Sequence, residues 1–164
     1  MKQPRLLLTG FTLLLSIALV GVTKAHTSPV VITPNGAQYI HLPFLPPCMT
    51  VSMAEGDPRK GASVELARIA AGCLIPAHWH AANTRLIVIS GYGVHQIKGD
   101  APTTLRAGSF VYLPAGTIHW FRCQSSCLTY NLQDGRDVVH WVDSRGREIS
   151  PRRAFSSSIK QSVH

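Results

Sequence analysis

Three histidines, His78, His80 and His119, carry the clearest chemistry in this 164-residue chain. His78 and His80 are separated by a single residue. In a β-strand, residues i and i+2 share a face, so the two imidazoles aim at one point. His119 follows Pro114-Ala115-Gly116, a turn expected to open a strand facing the first. Three neutral imidazoles converging inside a barrel bind a first-row divalent ion and leave coordination positions open. The competing reading, a barrel used only for packing, suits a lone histidine better than three at this spacing. His95 and His140 fall in other runs and are expected to be satisfied structural histidines rather than fourth ligands.

The elements that must position these residues read as strands. Short apolar or β-branched runs recur at 50–54, 63–70, 85–90, 93–97, 109–113, 118–123, 128–132 and 138–142, with Gly, Pro and Asp turns between them. No long helical period appears. Runs at this spacing predict an all-β fold, a sandwich or barrel. Of the aromatic residues, Trp79, Tyr92, Tyr112, Trp120, Phe121 and Tyr130 are expected to pack in the core or along the barrel seams. Arg85 could meet an anionic ligand, although adjacent strand residues face opposite ways.

Two segments then form a pattern. The first is Gly72, five residues, His78-Trp79-His80, three residues, Thr84, six residues, Gly91. The second is Gly108, five residues, Pro114-Ala115-Gly116, two residues, His119, three residues, Cys123. Their spacing resembles the paired motifs of the cupin superfamily over roughly residues 50–142. The flanking text Glu55-Gly-Asp-Pro-Arg-Lys60, Ile75-Pro-Ala-His-Trp-His80 and Leu113-Pro-Ala-Gly-Thr117 is similar to small exported bacterial cupins related to the cupin part of the ChrR anti-sigma factor. The resemblance implies a double-stranded β-helix, the cupin or jelly-roll barrel, with a metal at its centre. It also implies departures, because Thr84 stands where the family has a glutamate ligand and Cys123 where it has asparagine. A neutral threonine is a poor ligand for a divalent ion, and losing the carboxylate removes the hard donor that suits manganese. The remaining imidazole set leans toward iron, zinc, nickel or copper, with Fe(II) first and Mn kept open. Three-histidine iron sites occur in cupin-like thiol dioxygenases and diketone-cleaving dioxygenases.

Composition sets the compartment and domain plan. Residues 1–25 read as a signal peptide: Lys2 and Arg5 precede an apolar stretch from Leu6 to Val22, and Thr23-Lys24-Ala25 suits cleavage after Ala25. The apolar run is short for an anchor and is interrupted by Thr9, Gly10, Thr12 and Ser16. The expected mature protein is periplasmic or secreted, with no stable membrane insertion. Residues 26–49 read as an extended, proline-punctuated segment, 50–143 as the barrel and 144–164 as a basic, flexible tail. The formal charge is +8, and removing Lys2, Arg5 and Lys24 leaves 13 basic against 8 acidic residues, or +5. Basic tails can meet nucleic acid or acidic membranes. Here no aromatic residues interleave for stacking, so the tail reads as solvated and no nucleic-acid partner is expected. In an oxidising compartment Cys48, Cys73, Cys123 and Cys127 suggest disulfides. Cys123–Cys127 across an expected hairpin is the leading pair and Cys48–Cys73 the remainder, with free thiols as the alternative.

Two functional readings stand nearly level. One is a metal-dependent, dioxygenase-like enzyme acting on a small molecule. The alternative is a non-catalytic module that binds or senses a metal or small ligand. Asp and Glu are absent from both motifs, so no general base is evident. A homodimer through an outer sheet face is a further reading.

Overall fold

The structure, a computed structural model, describes residues 29–160. The expected signal peptide therefore lies outside the described residues. Contacts divide the chain at Val31/Ile32, and everything below concerns the unit from Ile32 onward.

Ten strands are present among the described residues: β1 (Met49–Gly56), β2 (Ser63–Ile69), β3 (Leu74–His80), β4 (Thr84–Ser90), β5 (Tyr92–Ile97), β6 (Thr103–Arg106), β7 (Phe110–Leu113), β8 (His119–Cys123), β9 (Cys127–Gln133) and β10 (Val139–Trp141). They form two five-stranded antiparallel sheets, ordered β1-β2-β9-β4-β7 and β10-β3-β8-β5-β6. Successive strands cross from one sheet to the other at β2–β3, β3–β4, β4–β5, β6–β7, β7–β8, β8–β9 and β9–β10, the winding of a jelly-roll barrel. The expected all-β double-stranded β-helix is the observed architecture.

Side-chain alternation drives this arrangement. On β8, His119, Phe121 and Cys123 are buried while Trp120 and Arg122 are less so. On β5, Gly93 and His95 are buried and their neighbours are not. Such period-two patterns place one face of each sheet on a shared interior. The interior packs Val51, Ala67, Ile69, Ile75, Val88 and Phe121 against one another. Removing a ring such as Phe121 from a core of this kind costs about 3–5 kcal/mol.

Several expectations are revised. The eight runs omit β6, which is only Thr-Thr-Leu-Arg, and β3, whose apolar signal is broken by Pro76 and two histidines. Residues Cys123 and Cys127 do not face each other across a hairpin. β8 pairs with β3 and β5, whereas β9 pairs with β2 and β4, so their disulfide ties the two sheets at a corner. Cys48–Cys73 is the second disulfide. Residues 144–160 are not a featureless tail: Val142 bridges Glu148, and helix α1 (Pro151–Lys160) follows. Ala154 is buried and the Phe155 ring meets Trp141 edge-on at 5.0 Å, which is the apolar contact that anchors the helix. The two apolar residues sit adjacent within a run of Arg and Ser, too few to show a helical period in sequence. No helix among the described residues is long and apolar enough to cross a membrane.

Two glycines show what the motif spacing encodes. Gly91 has φ 80° at the β4–β5 crossing, and a Cβ there would lie 2.1 Å from the Ser126 carbonyl oxygen. Gly116 has φ 79° in the turn before β8 and donates its N–H to the His80 carbonyl at 2.9 Å. Both conformations are open to glycine and costly for other residues.

Candidate metal centre

β3 carries His78 and His80, and the neighbouring β8 carries His119 directly opposite His78 in the register. The two strands are therefore side by side in one sheet, not facing each other as the turn suggested. A β-bulge aims His78. Four steps on β3 from Leu74 to His78 match three on β8 from Arg122 to His119, so β3 holds one extra residue, beside Pro76. Proline has no N–H for the ladder and suits such a place. Its carbonyl accepts a hydrogen bond from His78 Nδ1–H at 2.7 Å.

All three rings are held in the same way. His119 Nδ1–H donates to the Thr117 carbonyl at 3.0 Å, and His80 Nδ1–H donates to Asp137 Oδ2 at 2.7 Å. These acceptors are oxygens without protons, so each Nδ1 must carry the hydrogen, and each Nε2 is the ring atom left to face an ion. One ligand atom from each ring lies within 4.8 Å of the others. Burial holds the His78 ring well below the usual imidazole range, with His119 and His80 adding to the effect. Burial also lowers His119 to about 3. These two rings are neutral near pH 7, the form that coordinates a metal.

Asp137 was not legible as part of this site. It lies in the loop between β9 and β10, 57 residues from His80. Burial pushes its carboxyl up, but the His80 hydrogen bond and the amides of Ala82 and Ala81 hold it below the usual carboxylate range. Nearby, Asn83 accepts from the Ala115 amide at 2.9 Å and donates to Asp134 at 2.9 Å, which ties the β3–β4 loop to the turn before β8.

The facing sheet supplies no fourth ligand from the expected place. Thr84 is 2% exposed, and its hydroxyl lies 3.5 Å from the Ala82 carbonyl. Its register partner on β9 is Gln133, which in turn accepts from Ser63 on β2 at 3.1 Å. A carboxyl does reach the cavity from β2: Glu65 accepts from its register partner Asn131 at 3.1 Å. Burial raises the Glu65 pKa. The absence of acidic residues from both motifs thus did not mean their absence from the site. Glu65 shows only as an inward position of a strand whose neighbours Ala67 and Ile69 are apolar.

The cavity between the sheets has a volume of about 360 Å³ and is lined by the three histidines, Thr84, Glu65 and Asp137 together with apolar side chains. His95 lines it too, and its Nε2 is buried with no hydrogen-bond partner, so it is not the satisfied histidine expected. His140 instead stacks on Trp79 at 3.7 Å and contacts Glu148 at 3.2 Å, away from the triad. Arg85 lies over the Tyr112 ring and 3.5 Å from Asp134, outside the cavity lining. Of the six aromatics singled out, only Phe121 lines the cavity, while Tyr92 and Tyr112 are exposed.

Residues 65–129 match the family described as Cupin domain. None of the curated proteins matches the sequence. Among solved structures, an RmlC-like cupin protein from Ralstonia eutropha JMP134 is similar at TM-score 0.58 and 20% identity, over 82% of this chain and 87% of that one. An acetylacetone dioxygenase from Acinetobacter johnsonii is similar at TM-score 0.58 and 20% identity, over 84% of this chain and 95% of that one. An RmlC-like cupin from Shewanella frigidimarina NCIMB 400 is similar at TM-score 0.55 and 13% identity, over 65% of this chain and 91% of that one.

Proposed function

Because this chain belongs to the cupin superfamily, we propose that it is an exported metal-binding cupin whose three-histidine centre holds Fe(II) for oxygen chemistry on a small molecule. The observation that carries the reading is the common fixing of His78, His80 and His119. Each Nδ1–H is bound to an oxygen, so the three Nε2 atoms are left for one ion. A packing role would not need the same tautomer three times over. Thr84 in place of a carboxylate makes the donor set all nitrogen, which suits iron better than manganese. The chemistry such an ion supplies when bound is Lewis acidity and one-electron exchange.

The chain's own residues do the rest. Asp137 orients His80 and strengthens it as a donor. Glu65, facing the triad from the other sheet, can take or hold a proton at its carboxyl when a ligand lies between the sheets. Ile75, Phe121 and Trp141 keep water from the cavity wall. The resemblance in fold to an acetylacetone dioxygenase supports a diketone as the first substrate to try. The leader expected over residues 1–25 and the two disulfides support a periplasmic or secreted protein.

The test is metal analysis of protein purified from its native compartment. We expect one iron per chain in the wild type and almost none in His78→Ala. Oxygen uptake with small diketones and thiols should follow the iron. Iron bound without oxygen uptake would return the protein to a binding or sensing role, and no metal in the wild type would sink the proposal.

A further inference from the structure

Two polar groups in the cavity are not accounted for by metal binding. His95, on β5, is 5% exposed, and its ring centre is 5.4 Å from that of His119. Its Nε2 is buried and unpartnered. A buried polar atom left unpaired is costly, and a ligand atom that pairs with it recovers that cost. Glu65 lines the same cavity from the facing sheet, with one carboxyl oxygen on Asn131 and no partner for the other among the described residues.

The surroundings narrow what can bind. The cavity, about 360 Å³, lies at the small end of small-molecule sites. Much of its wall is apolar, with Leu42, Ile69, Ile75, Phe121 and Trp141. Among the described lining residues the one guanidinium or ammonium group is Arg59, whose side chain is 83% exposed and paired with Asp57 at 2.9 Å. A bound anion would thus face Glu65 and Asp137 with no free cationic side chain. A bound organic cation would have only Glu65 to pair with, because Asp137 is held by His80 and the Ala82 amide, and would otherwise leave water for apolar walls, at a large desolvation cost.

We propose that the cavity takes a small, uncharged, mainly apolar molecule bearing a hydroxyl or carbonyl oxygen, and that His95 and Glu65 recognise that oxygen. A hydroxyl suits both groups, because it can donate to a bare ring nitrogen or carboxylate and accept from an N–H or a protonated carboxyl. Burial lowers His95 to about 4, so the ring is neutral near pH 7. The inference rests on the metal-centre reading only in placing the ligand beside the triad, since neither recognition group needs the ion.

Benzyl alcohol, toluene and benzoate share a ring and differ at one end, and Trp141 in the wall gives a fluorescence signal for binding. On metal-free full-length protein we expect benzyl alcohol to bind at least about tenfold more tightly than benzoate. His95→Phe should weaken benzyl alcohol about tenfold while toluene binds equally or more tightly. Glu65→Gln should narrow the gap between benzoate and benzyl alcohol. Wild type and His95→Phe should each take up one zinc ion. The proposal is overturned by equal binding of benzoate, by no binding of any probe, by an equal loss for toluene in His95→Phe, or by loss of zinc in that variant. Wild-type protein that takes up no zinc overturns the metal-centre reading alone, and the metal-free comparison still decides this one.

Discussion

His80 and Asp137 form the pair on which the site's geometry turns. The carboxylate accepts the ring's Nδ1–H and also the Ala82 amide, at 2.7 and 3.1 Å, so it fixes both the ring and the backbone beyond it. Asp137→Ala should lower metal affinity about 10–100-fold, as removal of such an acceptor generally does, with all three ligands still present. Competitive titration against a chelator measures this, and an unchanged affinity would remove Asp137 from the site. The buried histidines also predict a pH dependence. In the unfolded chain these rings take up protons near 6.5, whereas in the folded chain burial delays uptake to about 4 at His95 and about 3 at His119. Between those values the unfolded state binds more protons, so stability falls as pH falls. The melting temperature of the metal-free protein should be lower at about pH 5 than at about pH 7, and His95→Phe should shrink the difference. A His95→Phe protein that loses as much melting temperature on acidification as the wild type would contradict the burial of that ring.

At the level of elements, the two disulfides do unequal work. Cys48–Cys73 closes a separation of 25 residues, linking the segment before β1 to the start of β3, whereas Cys123–Cys127 spans 4 at the sheet-to-sheet corner. Loop-closure entropy then predicts about 3.5 kcal/mol for the first and about 2 kcal/mol for the second. Denaturant unfolding of Cys48→Ala/Cys73→Ala against Cys123→Ala/Cys127→Ala should show that order. The reverse order would mean that the corner, not the long loop, limits stability. The same pairing separates what the sequence makes legible from what it does not. The alternation on β8 and β5 was legible because one face is buried. The partners of β8 and β9 were not, since adjacent strands in sequence look like a hairpin whether they pair or part to different sheets.

Across the whole molecule, metal and the C-terminal helix should both support the barrel. An ion that binds only the folded state adds about 2.7 kcal/mol at a hundredfold excess over Kd. Zinc or ferrous ion should therefore raise the melting temperature of the wild type and leave that of His78→Ala unchanged. Helix α1 covers Trp141 through Phe155 and places Pro151 on the cavity wall. Truncation after Ser150 should lower the melting temperature and shift Trp141 emission to the red as that ring meets water. An unshifted spectrum would show that the helix does not seal this end of the cavity.

The sequence by itself pointed to an all-β sandwich or barrel, and the resemblance of its two motifs to cupins narrowed this to the jelly roll and singled out the three histidines. Alternating burial is a local, period-two property, and His78, His80 and His119 sit at offsets set by a β-strand and a Pro-x-Gly turn. The tertiary structure alone decided what surrounds them. Glu65 and Asp137 enter from strands and loops outside the motifs, and His95 reaches the cavity because β5 pairs with β8, the strand that carries His119. Which sheet each strand joins depends on pairing between distant residues, and no local pattern encodes that choice. The three histidines thus mark a candidate metal centre in the sequence, while the walls around it exist only once the two sheets have closed.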